Sequence, residues 1–135
     1  MSKLLQRLSD PARSGVYRAR GADDILAAAR GSALDVVTID LGAGVFDGMA
    51  QALDFPDWFG HNWDALEDCL GDLSWRRDAG RVLLLRNYPR GEALGTLLDV
   101  LASAAQYWAA KGKAFFAVLL DPARELRLPD LYRER

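Results

Sequence analysis

The sequence predicts a small three-layer α/β fold, in which a three-stranded parallel sheet is flanked by helices. Three short apolar runs of strand length lie at residues 35–41, 81–86 and 114–120, separated by longer stretches with helical spacing. Alternating strands and helices favour a parallel sheet with right-handed crossovers. At 135 residues, half of them apolar, the chain is long enough for one domain with its own core.

Residues 1–34 form an N-terminal extension ahead of this core. Leucines at helical spacing before Asp10-Pro11 fit either a short docking helix or a frayed terminus, and the alternating G-V-Y-R-A-R of residues 15–20 predicts an edge strand. Residues 23–30 are rich in alanine and predict a second helix, which Gly31 ends. The extension either adds a strand and a helix to the core or serves as a separate contact surface.

Residues 35–120 form the core domain. The β-branched D-V-V-T-I-D-L at residues 35–41 predicts a buried strand, and apolar spacing from Phe46 to Leu53 predicts an amphipathic helix. After the second strand, a long helix runs to Gly112, and the apolar run before Leu120 predicts a strand covered on both faces. Residues 121–135 form a charged, proline-containing C-terminal tail, expected either on the surface or disordered.

The charge of the chain is strongly polarised. No Lys or Arg occurs between Gly31 and Trp75, and the acids of this stretch are Asp35, Asp40, Asp47, Asp54, Asp57, Asp64, Glu67, Asp68 and Asp72. The remaining residues carry all 17 Lys and Arg and only ten acids, a net charge of +7. A surface of this kind attracts cationic partners and repels polyanions, so we expect no nucleic-acid partner.

Residues 55–73 read F-P-D-W-F-G-H-N-W-D-A-L-E-D-C-L-G-D-L and predict a turn followed by a helix. Pro56-Asp57 begins the turn, and Gly60 can supply the positive φ of a sharp reversal. At least one ring of Trp58 and Phe59 must be substantially exposed. Asn62 is expected to cap a helix that runs to about Gly71.

This helix is expected to have an apolar side and an acidic side. The apolar side, which faces the core, consists of Trp63, Leu66, Cys69 and Leu70. Asp64 and Asp68, four residues apart, point the other way, and Asp72 continues their stripe. Like charges at this spacing destabilise a helix by about 0.2–0.5 kcal/mol. The pattern predicts a binding site for a cationic surface, and the alternative is a stripe that is merely solvated.

The segment F-P-D-W-F-G-H-N-W-D-A-L-E-D-C-L resembles the signature of the barstar family, the intracellular inhibitors of barnase-type ribonucleases. The family pattern is approximately apolar-P-acid-aromatic-aromatic-G-x-N-x-D-A-L-x-D-C-L, and the chain matches nearly every position. The resemblance extends more weakly from about Asp35 to Leu120. It implies a barstar-like fold and an inhibitor that binds a basic ribonuclease by mimicking RNA phosphates.

The resemblance also implies roles for the matching residues. Trp58 stands where the family has an aromatic that covers the ribonuclease active site. Asp64 would pair with an active-site Arg or Lys, and Asp68 would occupy the place of a substrate phosphate. Asn62 would support the binding loop through hydrogen bonds, and Gly60 would permit its close approach to the enzyme.

Phe59, Asp72 and Trp75 complete the predicted partner-binding set, with Trp75 at the border of the interface. One family contact is missing, because the Glu offered by the family's last helix aligns near Tyr107 and no acid lies between Asp99 and Asp121. A second hypothesis therefore stays open: a binding module on the same scaffold for another basic protein, a toxin or a housekeeping partner, without ribonuclease inhibition.

Catalysis fits the sequence less well. Asp64 and Asp68 could form an acid–base pair, or hold a divalent metal with His61. The chain has one histidine and one cysteine, and it lacks G-x-G-x-x-G and P-loop motifs. We therefore predict no enzyme, no cofactor and no metal, with Cys69 as a small buried hydrophobe.

The sequence also indicates where the protein works. Its first residues lack the apolar run of a secretory signal, and no stretch approaches the roughly 20 apolar residues of a membrane span. We expect a cytoplasmic monomer that does not bind membranes.

Overall fold

The computed structural model describes residues 2–133, which build a fully parallel four-stranded sheet between two layers of helices. The strands are β1 (Gly15–Ala19), β2 (Asp35–Asp40), β3 (Arg81–Arg86) and β4 (Phe115–Leu120). Their spatial order is β1-β4-β3-β2. The predicted small α/β fold with a parallel sheet is confirmed, with four strands instead of three.

The helices divide between the two faces of the sheet. One layer holds α1 (Lys3–Leu8) and α2 (Asp23–Ala29), joined by a 3-10 turn at Pro11–Arg13 and β1. The other layer holds α3 (Val45–Ala52), α4 (Trp63–Leu70) and α5 (Glu92–Ala110). The residues of the predicted binding segment therefore all lie on one side of the sheet.

Side chains of the central strands alternate between the two layers, as the pleat of a strand requires. In β3, Val82 and Leu84 pack in the core under α1 and α2, whereas Leu83 and Leu85 pack under α3, α4 and α5. β2 was predicted as a buried strand, but it lies at an edge of the sheet and Thr38 is exposed. β-branched composition alone does not separate an edge strand from a central one.

The N-terminal strand and the C-terminal tail meet at the other edge. Gly15 of β1 aligns with Phe116 of β4, and the Arg18 N–H donates to the Pro129 carbonyl at 2.9 Å. Leu131 donates its N–H to the Arg18 carbonyl at 2.9 Å, and its side chain is fully buried. The described part of the tail, residues 121–133, is therefore packed along β1 and contributes to the core, which differs from the expected surface or disordered segment; residues 134–135 lie outside the described part.

A hydrogen bond joins the end of α5 to the end of α4. The helix ends at Ala110, and Gly112 adopts a left-handed φ of 77°, as its place after the helix predicts. Trp108, in the last turn, donates its indole N–H to the Leu70 carbonyl at 2.8 Å. This bond satisfies a carbonyl at the end of α4 that has no partner within its own helix.

Candidate functional site

Residues 54–61, which we call the aromatic loop, connect α3 to α4 over a cluster of rings. Phe59 is only 6% exposed, and its ring centroid lies 4.8 Å from that of Phe55 and 6.4 Å from that of Phe46. Edge-to-face contacts of this kind add to the stability that apolar burial supplies. A direct partner contact for the Phe59 ring does not fit this buried position, and the ring instead anchors the loop to the core.

Trp58 is the exposed ring of the aromatic loop. Its side chain is 66% exposed, and its centroid lies 6.5 Å from that of Trp75 in an edge-to-face arrangement. Trp75 is half-buried and donates its indole N–H to the Leu53 carbonyl at 2.9 Å. Trp75 is therefore held in place and supports Trp58, which presents a large apolar surface to solvent.

The residue with positive φ in the turn before α4 is His61, whereas the sequence predicts Gly60. The positive φ of 50° belongs to His61, and Gly60 is not among the residues with positive φ in the described chain. A Cβ at Gly60 would lie 3.2 Å from the Asn62 amide nitrogen and 3.6 Å from the Ala65 methyl group. A side chain at position 60 would therefore crowd the Asn62 amide, which Gly60 avoids. His61 lies 3.3 Å from Asp47, measured from Nε2 to Oδ1.

Asn62 joins the aromatic loop to α4. Its Oδ1 accepts the Ala65 N–H at 2.8 Å, so the predicted N-cap is confirmed. Its Nδ2 donates to the Gly60 carbonyl at 3.2 Å. Both ends of one side-chain amide are engaged, and they fix the direction in which the helix leaves the loop.

α4 has the two sides that its sequence predicts. Leu66, Cys69 and Leu70 are fully buried, and Trp63 is half-buried with its ring centroid 5.0 Å from that of Phe46. Asp64 and Asp68 are exposed on the opposite side, and the exposed Asp72 follows just after the helix. The structure therefore brings Asp64, Asp68 and Asp72 onto one exposed surface.

The nine acids of the basic-free stretch fall into two groups. The four with side-chain partners in the chain are Asp35, Asp40, Asp47 and Asp54. The five that make no ion pair or side-chain hydrogen bond with any residue of the described range 2–133 are Asp57, Asp64, Glu67, Asp68 and Asp72. We call these five carboxylates, together with Trp58, the acidic surface.

Asp35 is the most strongly compensated of these acids. Arg76 donates to both of its carboxylate oxygens, at 3.1 and 3.2 Å, and Arg81 donates to Oδ2. Burial alone would raise the pKa of Asp35, but the hydrogen bonds and charges of Arg76 and Arg81 outweigh it and hold the pKa below its usual value. This carboxylate is committed to the fold and is not available to a partner.

The pKa of the buried Cys69 thiol is raised above its usual value. Burial raises its pKa, and the neighbouring charges of Asp72 and Asp68 raise it further. A thiol that resists ionisation is a poor nucleophile, which agrees with Cys69 as a buried apolar residue.

A groove lies between α4 and α5 beside Asp68. It has a volume of about 430 Å³ and is lined by Glu67, Asp68, Gly71, Ser103, Ala104 and Tyr107. Tyr107 is 44% exposed, and the Lys111 ammonium lies 4.8 Å from its ring centroid. The position aligned with the missing family acid thus borders the same groove as Asp68, but it presents an aromatic ring beside a cation.

Two further observations concern other kinds of site. Within residues 2–133, no three His, Cys, Asp or Glu side chains are grouped so that they could hold a metal ion. None of the described helices combines the length and the apolar composition needed to cross a membrane.

The fold and the site together define a small three-layer α/β protein with an exposed aromatic loop and an uncompensated acidic helix. A family model described as Barstar (barnase inhibitor) matches residues 32–120, which is most of the chain. The protein therefore belongs to the barstar family, a family of inhibitors and not of enzymes. No curated protein and no solved structure gives a significant match to the chain.

Proposed function

We propose that this protein inhibits a basic ribonuclease by placing the acidic surface over the enzyme's active site. The observation that carries the proposal is the row of Asp64, Asp68 and Asp72, which no basic residue of the described chain neutralises. Like charges at this spacing cost helix stability. A cationic partner relieves that repulsion, and it gains charge-assisted hydrogen bonds to the same carboxylates.

Each part of the site has a role in this proposal. Asp68 occupies the place of a substrate phosphate, and Asp64 pairs with an Arg or Lys of the active site. Trp58 covers the apolar rim of the enzyme, while Gly60 and Asn62 hold the loop in the shape that allows a close approach. Asp72 extends the negative field, and Trp75 supports Trp58 from below.

The proposal places recognition in residues 35–120, with the N-terminal extension 1–34 and the tail 121–135 as supports for the sheet. The protein acts in the cytoplasm as a monomer, without a cofactor, metal, nucleic acid or membrane. Hot spots in interfaces of this kind are few and central, so we assign the largest share of the binding energy to Asp68.

Inhibition of a barnase-type ribonuclease by the wild type and by Asp68→Ala tests the proposal. We expect the variant to bind at least about 2 kcal/mol more weakly, which is about thirtyfold. Asp23→Ala is the matched control, because Asp23 is exposed on α2, in the other helical layer, and its removal changes the net charge equally. Equal inhibition by the wild type and Asp68→Ala would contradict phosphate mimicry.

The salt dependence of the association and dissociation rates separates long-range electrostatic attraction from short-range contacts. Raising the ionic strength from low to high salt should slow association by about tenfold or more, with a much smaller effect on dissociation. Stopped-flow mixing with the ribonuclease measures both rates. A salt effect confined to dissociation would exclude long-range attraction by the acidic surface.

A second candidate is a basic protein partner that is not a ribonuclease. It is favoured by Tyr107, which lines the groove beside Asp68 where the family has an acid and whose ring contacts the Lys111 ammonium. Tyr107→Glu separates the two candidates, since restoring the acid should strengthen binding to a barnase-type enzyme. Capture of a different basic protein by the wild type, lost in Asp64→Ala/Asp68→Ala, would favour the second candidate.

A further inference from the structure

Arg76 lies immediately after Trp75 and joins two acids that are far apart in the sequence. Its Nε and Nη2 donate to the Asp35 carboxylate, and its Nη1 donates to Asp54 Oδ2 at 3.1 Å. Asp35 is buried at the start of β2, whereas the Asp54 side chain is 78% exposed at the start of the aromatic loop. The guanidinium thus connects the sheet to the loop.

The sheet end of this connection is rigid. Asp35 is also bound by Arg81, whose side chain is 5% exposed, and Arg81 donates to the Arg77 carbonyl at 2.9 Å. A guanidinium presents its donors in a fixed plane, so binding both Asp35 oxygens fixes the direction of the remaining donor. That donor points at Asp54.

The loop end of the connection is a backbone that needs support. Asp54 has a left-handed φ of 55°, which costs free energy for a residue with a side chain. The following Phe55 N–H donates to the Ala50 carbonyl at 3.0 Å, and Phe59 donates to the Pro56 carbonyl at 3.0 Å. The Trp75 indole holds the preceding residue, Leu53, through its carbonyl.

We infer that Arg76 is a positioning residue, which fastens Asp54 to the buried Asp35 carboxylate and so holds the aromatic loop in the conformation that presents Trp58. Trp75 and Arg76 act together, because one binds the backbone before Asp54 and the other binds its side chain. A loop ordered before binding loses less conformational entropy in the complex. The benefit to inhibition rests on the proposed function, whereas the ordering itself is a property of the free protein.

The test is amide hydrogen exchange of the free protein, read at Phe55, Phe59 and the Trp75 indole N–H and compared with Leu83 in the core. Asp54→Asn removes only the exposed end of the connection and leaves the buried Asp35 cluster intact. We expect exchange at these three reporter sites to rise about two- to fivefold relative to Leu83. Asp57→Asn is the matched control for loop order, since it removes an equal charge from the same loop at a carboxylate that has no side-chain partner among residues 2–133.

Arg76→Gln should raise exchange at the same sites by about tenfold or more, because both carboxylates lose a charged donor. Arg77→Gln is its control, since Arg77 donates to the Ala33 and Leu34 carbonyls and does not contact the loop. Any rise in exchange that this control causes should be of the same factor at the three reporter sites as at Leu83.

Unchanged exchange ratios in both Asp54→Asn and Arg76→Gln would overturn the inference, as would an equal selective rise in Asp57→Asn. No partner is present in this experiment, so its failure does not touch the proposed function. Conversely, a protein that inhibits no ribonuclease could still show the selective loss of loop order.

Discussion

Asp35 and Asp68 carry the same side chain in the same basic-free stretch, yet their surroundings are opposite. Asp35 is buried between Arg76 and Arg81, which come from beyond the stretch, whereas Asp68 is exposed without an ion-pair partner in the described chain. Removing one member of a buried ion pair leaves an uncompensated charge, but an exposed carboxylate stays solvated. The comparison separates acids that hold the fold from acids available to a partner.

The largest expected effect is the loss of Asp35. Asp35→Ala leaves the buried Arg81 and the mostly buried Arg76 without their carboxylate, so the free energy of unfolding should fall by about 3–5 kcal/mol. Urea unfolding measures it. Asp68→Ala, as the opposite member of the comparison, should stay within about 0.5 kcal/mol of the wild type. Similar losses in the two variants would remove the distinction between the groups.

Lowering the pH should reduce the stability of the protein through Asp35, because the pKa of this residue is lowered in the folded state. Because the folded-state pKa of Asp35 lies below its unfolded value, its contribution to stability is complete above about pH 4 and declines as the pH falls through the folded-state pKa. Urea midpoints at several pH values, for the wild type and Asp35→Asn, measure this contribution. The difference between the two proteins should narrow below pH 4, and a difference that does not change there would contradict the lowered pKa.

The smallest expected effect is a gain in stability on the acidic surface. Asp68→Asn removes repulsion within the helix stripe and should stabilise the protein by about 0.2–0.5 kcal/mol at low salt, less at high salt. Asp64→Asn should gain less, because Asp64 lies in the first turn of α4, where the helix dipole favours a negative charge. Thermal unfolding at two salt concentrations resolves the pair. A loss of stability in Asp68→Asn would place this residue with the structural acids.

Features decided by neighbouring residues could be predicted from the sequence. The strands at residues 81–86 and 115–120, the Asn62 cap and the two sides of α4 each depend on a short window of side chains. The parallel sheet followed from their alternation with helices. The sequence predicts that at least one ring of Trp58 and Phe59 is exposed. In the structure Phe59 packs against Phe46 and Phe55, so Trp58 is the exposed ring.

Features decided by distant residues could not be predicted in the same way. Arg76 lies 41 positions from Asp35, and nothing local to either residue indicates that they meet. Leu131 binds β1, which is more than a hundred positions earlier in the sequence, and no residue near Leu131 indicates this contact. The charged composition of residues 121–135 alone predicts a surface tail. The left-handed residue at His61 was missed because Gly60, beside it, is the residue type that adopts this conformation most readily.

The sheet order has a consequence for the time course of synthesis. Among the four strands, β1 pairs with β4 alone, which is translated after β2, β3 and all five helices, and Arg18 of β1 also binds residues 129–131, which are translated later still. A nascent chain therefore carries an unpaired strand, and the apolar surface of α1 and α2 has no complete sheet to cover until β4 leaves the ribosome. Long-range parallel pairing is slow for the same reason. Folding on the ribosome should finish in one late step, and a stalled chain that ends before Phe115 should be sensitive to proteases along its entire length.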